Sequence, residues 1–361
     1  MKSDRPSRTA VWALTPNGAR LAWALSGKIA DSELFLSTRV AAEMDGANRF
    51  ERLADEVDRV FNDFSGHIFI MATGIVIRSI AGHLVHKTRD PAVVVCDEAG
   101  QFAISLLSGH LGGANALARE VAGITGGQPV VTTATDVNRV AAIDLIAATN
   151  RLAIENPAAI KTVNMALITG APIRIHDPYG IVIGQLPAEQ VIRCPPNGFD
   201  DAQAAVFVDH IRLDLPPHVL VLRPPSLVAG MGCNRGTDVE EMRGLLETTL
   251  AANHLAPASL RTLATVDLKA DEPGLVALAE TLNVTITIFT RDRLKTVAQV
   301  PNPSPMVEKH IGVKSVCEAA ALLATHWGRM LVPKQKTTNV TVAVAADGSI
   351  SSASVPADRP T

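Results

Sequence analysis

The stretch "SLLSGHLGGANALARE" (105–120) passes from an apolar run, through a glycine-rich turn, into a helical pattern. A strand that leads through a short turn into a helix is the repeating unit of α/β folds. His110 stands inside the turn, with glycines on both sides of it. Because glycine has no side chain to shield a neighbour, we expect the imidazole of His110 to be accessible.

The same alternation fills the chain around this stretch. Short β-branched runs, typical of buried strands, are "AVWAL", "ELFLS", "HIFIMA", "AVVVCD" and "PVVTTA". Between them lie the helical patterns "GARLAWALSG", "ERLADEVDRVFNDF" and "GANALAREVAGI". Strands that alternate with helices predict βαβ units, and therefore a mostly parallel sheet with flanking helices.

The patterning predicts a multidomain α/β protein. Residues 1–136 form the N-terminal α/β domain. Residues 137–225 form a small α/β linking domain, with a helix at "AAIDLIAATN" and short strands in "PIRIHDPYGIVIGQL" and "AVFVDHIRL". Residues 226–345 form a second α/β domain that opens on the strand "LVAGMGC". Residues 346–361 lack periodicity and predict a disordered tail.

Composition excludes several classes of function. The net charge of −3 and the pI of about 6.4 give no support to a nucleic-acid or membrane-surface role, because both usually need a basic excess. The four cysteines are far apart and lack metal-ligand spacing, so no metal site is expected. No apolar run reaches the length of a membrane span. These observations predict a cytoplasmic protein.

Polar loops are expected to converge at the carboxyl ends of the first set of strands, where α/β sheets bind their ligands. Four segments qualify: 71–91, 97–100, 108–115 and 132–138. Their glycines would let the backbone approach a ligand, and the amides that open the next helix would point outward as anion donors. A packing role for the glycine turn is equally open. The predicted binding residues here are Gly74, Ser108, Gly109, Gly112, Gly113, Asn115 and Thr133.

The titratable residues of these loops each have two interpretations. His83, His86 and His110 are either hydrogen-bonded structural residues or catalysts, and His110 is favoured by its flanking glycines. Asp136 either caps the next helix or orients a catalytic histidine. Arg78 and Lys87 are either solvated surface charges or contacts for substrate carboxylates.

In the third block, "AGMGCNRGTDVEEM" joins a strand to a helix, but its glycine spacing disfavours a dinucleotide site. Cys233 is a candidate nucleophile, although a structural thiol is favoured. The acids around Lys269 are expected as helix caps. Ser315 and Glu318 have the spacing of a capping box. The predicted binding residues of this block are Gly232, Cys233, Asn234, Lys269, Lys314 and Ser315.

Taken together, several long segments resemble the cobalt-precorrin-5A hydrolase family of anaerobic cobalamin biosynthesis. The resemblance extends from about residue 50 to residue 345, in the family's order. Gly82 stands where the family tends to have proline, and Arg139 where a glycine is common. The segments are "TGIVIRSIAGHLVHKTRDPAVVVCDEAGQFAISLLSGHLGGANALA", "PVVTTATDVN", "GMGCNRG", "TVDLKADEPGL", "VEKHIGVKSVCEAAALL" and "VPKQKTTNVTVAVA".

The resemblance implies a cobalt-tetrapyrrole substrate whose δ-lactone, formed by the ring A acetate, is opened with water. A methylated bridge carbon then leaves as acetaldehyde. The cobalt belongs to the substrate, so no cofactor is expected. We hypothesise that His110 is the general base, that amides near Gly112 and Gly113 stabilise the oxyanion, and that His83 or His86 moves protons. A homodimer and transient contacts with neighbouring enzymes of the pathway are further expectations.

A binding protein is the alternative from another class. The third block resembles a domain that also occurs alone in the aerobic cobalamin route, where it is expected to hold corrinoid intermediates without catalysis. On that interpretation the whole chain is a non-catalytic carrier. Release of acetaldehyde from the cobalt-precorrin substrate distinguishes the two functions.

Overall fold

A computed structural model describes residues 8–40, 44, 46–86, 89–110, 112–138, 140–199, 204–297, 299–304, 312–326 and 328–348. The chain separates into two compact units, 1–145 and 146–361. Both contain mostly parallel sheets with flanking helices, which confirms the predicted fold class. The finer division into three domains stays a prediction, and the predicted tail lies outside the described residues from 349 onward.

The first unit contains a seven-stranded sheet in the order β3-β2-β1-β4-β5-β6-β7. Its strands are β1 (Thr9–Ala13), β2 (Ser32–Ser37), β3 (Asn48–Phe50), β4 (Gly66–Ile70), β5 (Ala92–Cys96), β6 (Phe102–Leu107) and β7 (Gln128–Val130). Its helices are α1 (Pro16–Ser26), α2 (Leu53–Val60), α3 (Thr73–Ile80), α4 (Ala114–Thr125) and α5 (Ala134–Val137), and α6 (Ile143–Thr149) crosses the boundary between the units.

The sheet is buried on both faces, which explains its continuous apolar runs. Every residue of β4 and β5 is buried, as expected for parallel strands covered by helices on both sides. Trp12 of β1 stacks on Phe35 and Phe69 on one face. On the other face, small residues of α1 and α4, such as Ala22 and Ala118, pack against the strands.

Strands β1 to β5 are parallel, but β6 runs antiparallel to β5, and β7 follows the direction of β6. The segments after β6 and β7 therefore lie at the opposite edge from those after β4 and β5. The prediction that all four loops converge was wrong. The physical reason is the short turn between β5 and β6, which is a hairpin connection and too short for a crossover. Asp97 closes it by accepting hydrogen bonds from the amides of Ala99 and Phe102.

The second unit begins with a five-stranded central sheet in the order β10-β9-β11-β12-β8, in which β8 is antiparallel to β12. It consists of β8 (Ala153–Ile154), β9 (Ile173–His176), β10 (Val191–Arg193), β11 (Ala204–Val208) and β12 (Val219–Arg223), with α7 (Ile160–Thr169). Part of "GIVIGQL" forms a 3-10 turn, so the strand of the predicted segment "PIRIHDPYGIVIGQL" is confined to β9. Asp177 curls this segment by accepting hydrogen bonds from the amides of Val182 and Ile183.

The C-terminal sheet of the same unit has the order β15-β14-β13-β17-β16. Its strands are β13 (Leu227–Cys233), β14 (Leu260–Val266), β15 (Thr285–Phe289), β16 (Arg329–Lys336) and β17 (Val340–Ala346). Its helices are α8 (Val239–Ala252), α9 (Pro273–Leu282), α10 (Arg291–Lys295) and α11 (Val316–Ala324). A Cβ at Gly230 would lie 1.8 Å from the carbonyl oxygen of Cys317, so α11 packs directly on β13.

None of the helices in the described part of the chain has the length and apolar character that crossing a bilayer requires.

Candidate active site

The loop between β6 and α4 is held in place by close packing at two of its glycines. A Cβ at Gly112 would lie 2.3 Å from the Cβ of Ser108, and one at Gly109 would lie 2.7 Å from Oδ1 of Asn115. Ser108 itself has a φ of 58°, a conformation that side chains rarely adopt. Its buried hydroxyl has no hydrogen-bond partner among the described residues. Strain and an unpaired hydroxyl in one loop are typical of functional sites.

The amides that open α4 are already used within this loop. The N–H of Gly113 donates to the carbonyl of His110, and the N–H of Ala114 donates to that of Ser108. The N–H of Asn115 donates to the carbonyl of Gly109. The expectation that the Gly113 amide points outward as an anion donor was therefore wrong, because closing the tight loop consumes these donors.

His110 lies between two carboxylates from different helices. Its Nε2 lies 3.0 Å from Oδ2 of Asp136 and 3.0 Å from the hydroxyl of Thr135, both in α5. Its Nδ1 lies 3.5 Å from Oδ2 of Asp144, a buried residue of α6. The side chain of His110 keeps 16% of its surface exposed, so one edge of the ring remains accessible.

Asp136 is the centre of this cluster. Besides His110, its carboxylate accepts hydrogen bonds from Asn115, Thr133 and Arg119. Burial opposes its ionisation, but the hydrogen bonds from Thr133, Arg119 and His110 lower the pKa of Asp136 to about 2. Asp136 makes no helix cap, since α5 begins after Thr133. The capping interpretation was wrong, and the geometry matches a residue that orients His110.

The surroundings of His110 favour its charged form. The hydrogen bond to Asp144 raises the pKa of His110 most, burial opposes it, and Asp136 adds to the rise. The resulting imidazolium donates from both nitrogens, one to each carboxylate. It is therefore suited to donate a proton. A neutral ring that takes a proton from water, as the sequence suggested, is disfavoured by these two partners.

The other predicted residues of the first unit lie elsewhere. Gly74 opens α3 at the carboxyl end of β4, on the opposite edge from His110, and Arg78 donates back to its carbonyl. His83 pairs with the exposed Asp58, 2.6 Å away. His86 is exposed, and its backbone N–H donates to Asp90, beside Gly112. Lys87 and Arg139 lie outside the described residues.

Family models match three successive segments of the chain. They are described as "Cobalamin synthesis G N-terminal" over residues 55–136, "Cobalamin biosynthesis central region" over 141–224 and "Cobalamin synthesis G C-terminus" over 227–345. Together they account for most of the chain.

Near-complete relatives decide the family. The cobalt-precorrin-5A hydrolase of Salmonella typhimurium is 36% identical over 95% of this chain and 98% of its own length. This chain belongs to the cobalt-precorrin-5A hydrolase family. The hydrolase of Priestia megaterium is 30% identical over 93% of this chain and 94% of its own. The crystal structure of CobE, a protein from the cobalamin (vitamin B12) biosynthetic pathway, is 36% identical, covers 34% of this chain and 92% of its own, and has a TM-score of 0.33.

In this family member, a second group of predicted residues shares one edge of the C-terminal sheet. Gly232, Cys233 and Asn234 lie at the carboxyl end of β13, and Lys269 follows the parallel strand β14. Burial raises the pKa of the Cys233 thiol, although Lys269 opposes the rise. A thiol that holds its proton is a poor nucleophile, which supports the structural interpretation of Cys233.

Both capping predictions for this sheet were wrong. Ser315 precedes α11, but its side chain makes no capping bond, and its hydroxyl lies 3.7 Å from Sγ of Cys317. Glu318 is fully buried and accepts from the amides of Asn302 and Lys334. Glu272 precedes α9, yet its carboxylate accepts from the amide of Gly236. Long-range donors outcompete the local ones in both places. Lys314 adjoins this helix start, where its carbonyl accepts from the amide of Ser304.

The sequence analysis missed several residues that complete the clusters. Asp144 is the clearest, because an acid inside the apolar helix "AAIDLIAATN" signals a buried partner. Thr135 and Arg119 left no such signal. In the described residues, no group of three or more histidine, cysteine, aspartate or glutamate side chains is arranged to hold a metal ion.

Proposed function

We propose that the chain is a cobalt-precorrin-5A hydrolase. It opens the ring A δ-lactone of a cobalt corrinoid precursor with water and releases the methylated bridge carbon as acetaldehyde, which leaves cobalt-precorrin-5B. The observation that carries this function is the match to a hydrolase of this name at 36% identity over 95% of the chain. The substrate is therefore a corrinoid with several acidic side groups.

The His110 cluster supplies chemistry that this reaction needs. When water has attacked the lactone carbonyl, the tetrahedral intermediate collapses and expels an alkoxide, which must gain a proton. The imidazolium of His110, fixed by Asp136 and Asp144, is a proton donor placed at an accessible loop.

We further propose that the enzyme works without a cofactor of its own, because the cobalt arrives with the substrate. A nucleotide is also not required, since the chain lacks the G-x-x-x-x-G-K-[ST] sequence of phosphate-binding loops. The proposed compartment is the cytoplasm. A homodimer and transient contacts with neighbouring enzymes of the pathway remain predictions.

The non-catalytic carrier is the second candidate function. It rests on the resemblance of the C-terminal block to a domain that occurs alone, and the matching protein CobE of Sinorhizobium sp is 34% identical over only 35% of this chain. The relatives named as hydrolases extend over both units, including the His110 cluster. The hydrolase is therefore the better-supported function.

Anaerobic incubation of the full chain with cobalt-precorrin-5A tests the proposal, with acetaldehyde measured by a coupled alcohol dehydrogenase after the protein is removed. We expect one acetaldehyde for each substrate consumed, before and after exhaustive chelation and desalting. Substrate that binds without acetaldehyde release would make the chain a carrier. Activity that is lost on chelation and restored by zinc would contradict the cofactor proposal alone.

A further inference from the structure

The central sheet of the second unit carries a cluster of acid–base side chains that the proposed function does not use. His176 ends β9, and Asp209 and His210 directly follow β11. These two strands are parallel neighbours, with β10 and β12 on their outer sides. After β9 the chain continues to β10 on one side of the pair, and after β11 it continues to β12 on the other side. In open α/β sheets, ligands bind at the carboxyl ends of such a strand pair.

Hydrogen bonds join these side chains to one another and to two hydroxyl groups. The hydroxyl of Tyr179, in the loop after β9, lies 2.5 Å from Nδ1 of His210 and 3.5 Å from Oδ1 of Asp209. The other oxygen of Asp209 lies 3.1 Å from Nε2 of His176. The backbone N–H of His210 donates to Asp209 over 2.6 Å, and the hydroxyl of Ser226 lies 3.0 Å from Nδ1 of His210.

Burial decides where the protons reside in this cluster. It lowers the pKa of His210, and the guanidinium groups of Arg329 and Arg223 lower it further, against the opposing effect of Asp209. Burial also raises the pKa of Tyr179. At neutral pH the phenol therefore keeps its proton, and the imidazole beside it is neutral and able to accept one.

We propose that Tyr179 and His210 form a proton-accepting pair that activates water for attack on a neutral carbonyl group. That this carbonyl belongs to the corrinoid substrate rests on the proposed function. As water attacks, its oxygen bonds to the carbonyl carbon, and the π electron pair moves to the carbonyl oxygen. One water proton passes to the phenol oxygen of Tyr179, whose own proton moves to Nδ1 of His210. The phenol is thus restored, and His210 holds the proton until it is returned to solvent or product.

The surroundings favour a neutral carbonyl over a carboxylate. The carboxylate of Asp209 lies 3.5 Å from the phenol oxygen, so a second anion at this place would be repelled. The side chains of His176, Asp209 and His210 each keep between 10% and 13% of their surface exposed. Exposed Pro178 and Gly180 flank Tyr179. The cluster is therefore mostly buried but keeps contact with solvent.

The direct test uses Tyr179 as its own reporter, because the chain contains one tyrosine. The full chain is labelled with [13Cζ]tyrosine and titrated with δ-valerolactone and, separately, with propionate. We expect a saturable shift of the single resonance with the lactone and none with propionate. We also expect the resonance to follow the titration of His210 below pH 6.5, its ordinary value. His210→Gln should abolish both responses, whereas His218→Gln should preserve them.

No shift with the lactone, or a shift with propionate alone, would overturn the inference.

A kinetic experiment separates the inference from the proposed function. Tyr179→Phe should slow acetaldehyde release by about a hundred-fold or more and remove the acid limb of the pH profile, while the melting temperature stays close to that of the parent. Equal rates in parent and variant would overturn the pair but leave the hydrolase intact. Lactone binding by a chain that releases no acetaldehyde would support the site and refute the hydrolase.

Discussion

Two histidine clusters in this chain contain the same types of side chain, but the protonation of the histidine differs between them. Each places a histidine beside an aspartate and a hydroxyl group, at the carboxyl end of a strand. His110 has one carboxylate opposite each ring nitrogen, and its pKa is raised. Nδ1 of His210 faces the phenol of Tyr179, its nearest aspartate oxygen is 3.7 Å away, and its pKa is lowered.

The difference shows that charged neighbours, and not burial, decide which of these two histidines is protonated. Both rings are partly buried, and burial lowers the pKa of each. In the first cluster, the two flanking carboxylates outweigh that effect, so the ring becomes a proton donor. In the second cluster, two nearby arginines add to the effect of burial, so the ring becomes a proton acceptor.

The largest expected effect separates His110 from another histidine–aspartate pair of the same unit. His110→Asn removes the imidazolium but keeps a polar side chain, so acetaldehyde release should fall by about a hundred- to ten-thousand-fold. His83→Asn removes the ring that pairs with the exposed Asp58 and should change the rate by only a few fold. Steady-state rates of acetaldehyde release measure both.

Melting temperatures and corrinoid binding serve as controls for these two variants. Both should fold, and His110→Asn should still bind the corrinoid. If His83→Asn caused the larger loss, the catalytic role would move to the pair formed by His83 and Asp58. If His110→Asn unfolded, the ring would be a structural residue.

A smaller effect tests whether the close packing of the His110 loop matters. Gly112→Ala would force a Cβ to within 2.3 Å of the Cβ of Ser108, so we expect a loss of about 1–3 kcal/mol in the free energy of unfolding. Gly123 lies in α4, the helix that follows the loop, and a Cβ at this position would have no neighbour within 4 Å. Gly123→Ala should therefore raise the free energy of unfolding by about 0.5–1 kcal/mol. Urea denaturation measures both, and equal effects in the two variants would show that the loop tolerates displacement.

Much of the fold was predictable because its strands are buried on both faces. Continuous apolar runs such as "AVVVC" and "LVAGMGC" fix strands β5 and β13 within a residue. Direction was not predictable in the same way, because the reversal of β6 depends on the turn at Asp97. That single turn moved the His110 loop to the opposite edge of the sheet.

The candidate site was predictable where the local sequence constrains the backbone. Close neighbours leave no space for a Cβ at Gly109 and Gly112, so glycine is required there and the glycine pattern located the loop. The partners of His110 come from 26 and 34 residues further along the chain, and no local spacing connects them to it. The capping predictions failed for the same reason. The carboxylate of Glu318 accepts hydrogen bonds from the amides of Asn302 and Lys334, which are distant in sequence, and not from the start of its own helix.

The protonation states of the two rings test the comparison most directly. Long-range proton–nitrogen correlation spectra of the [15N]histidine-labelled full chain, recorded across the pH range, report each ring, and His110→Asn and His210→Gln assign the two signals. At pH 6.5, the ordinary value for histidine, we predict that His110 is more than half protonated and His210 more than half neutral. A titration midpoint of His210 at or above that of His110 would contradict the account.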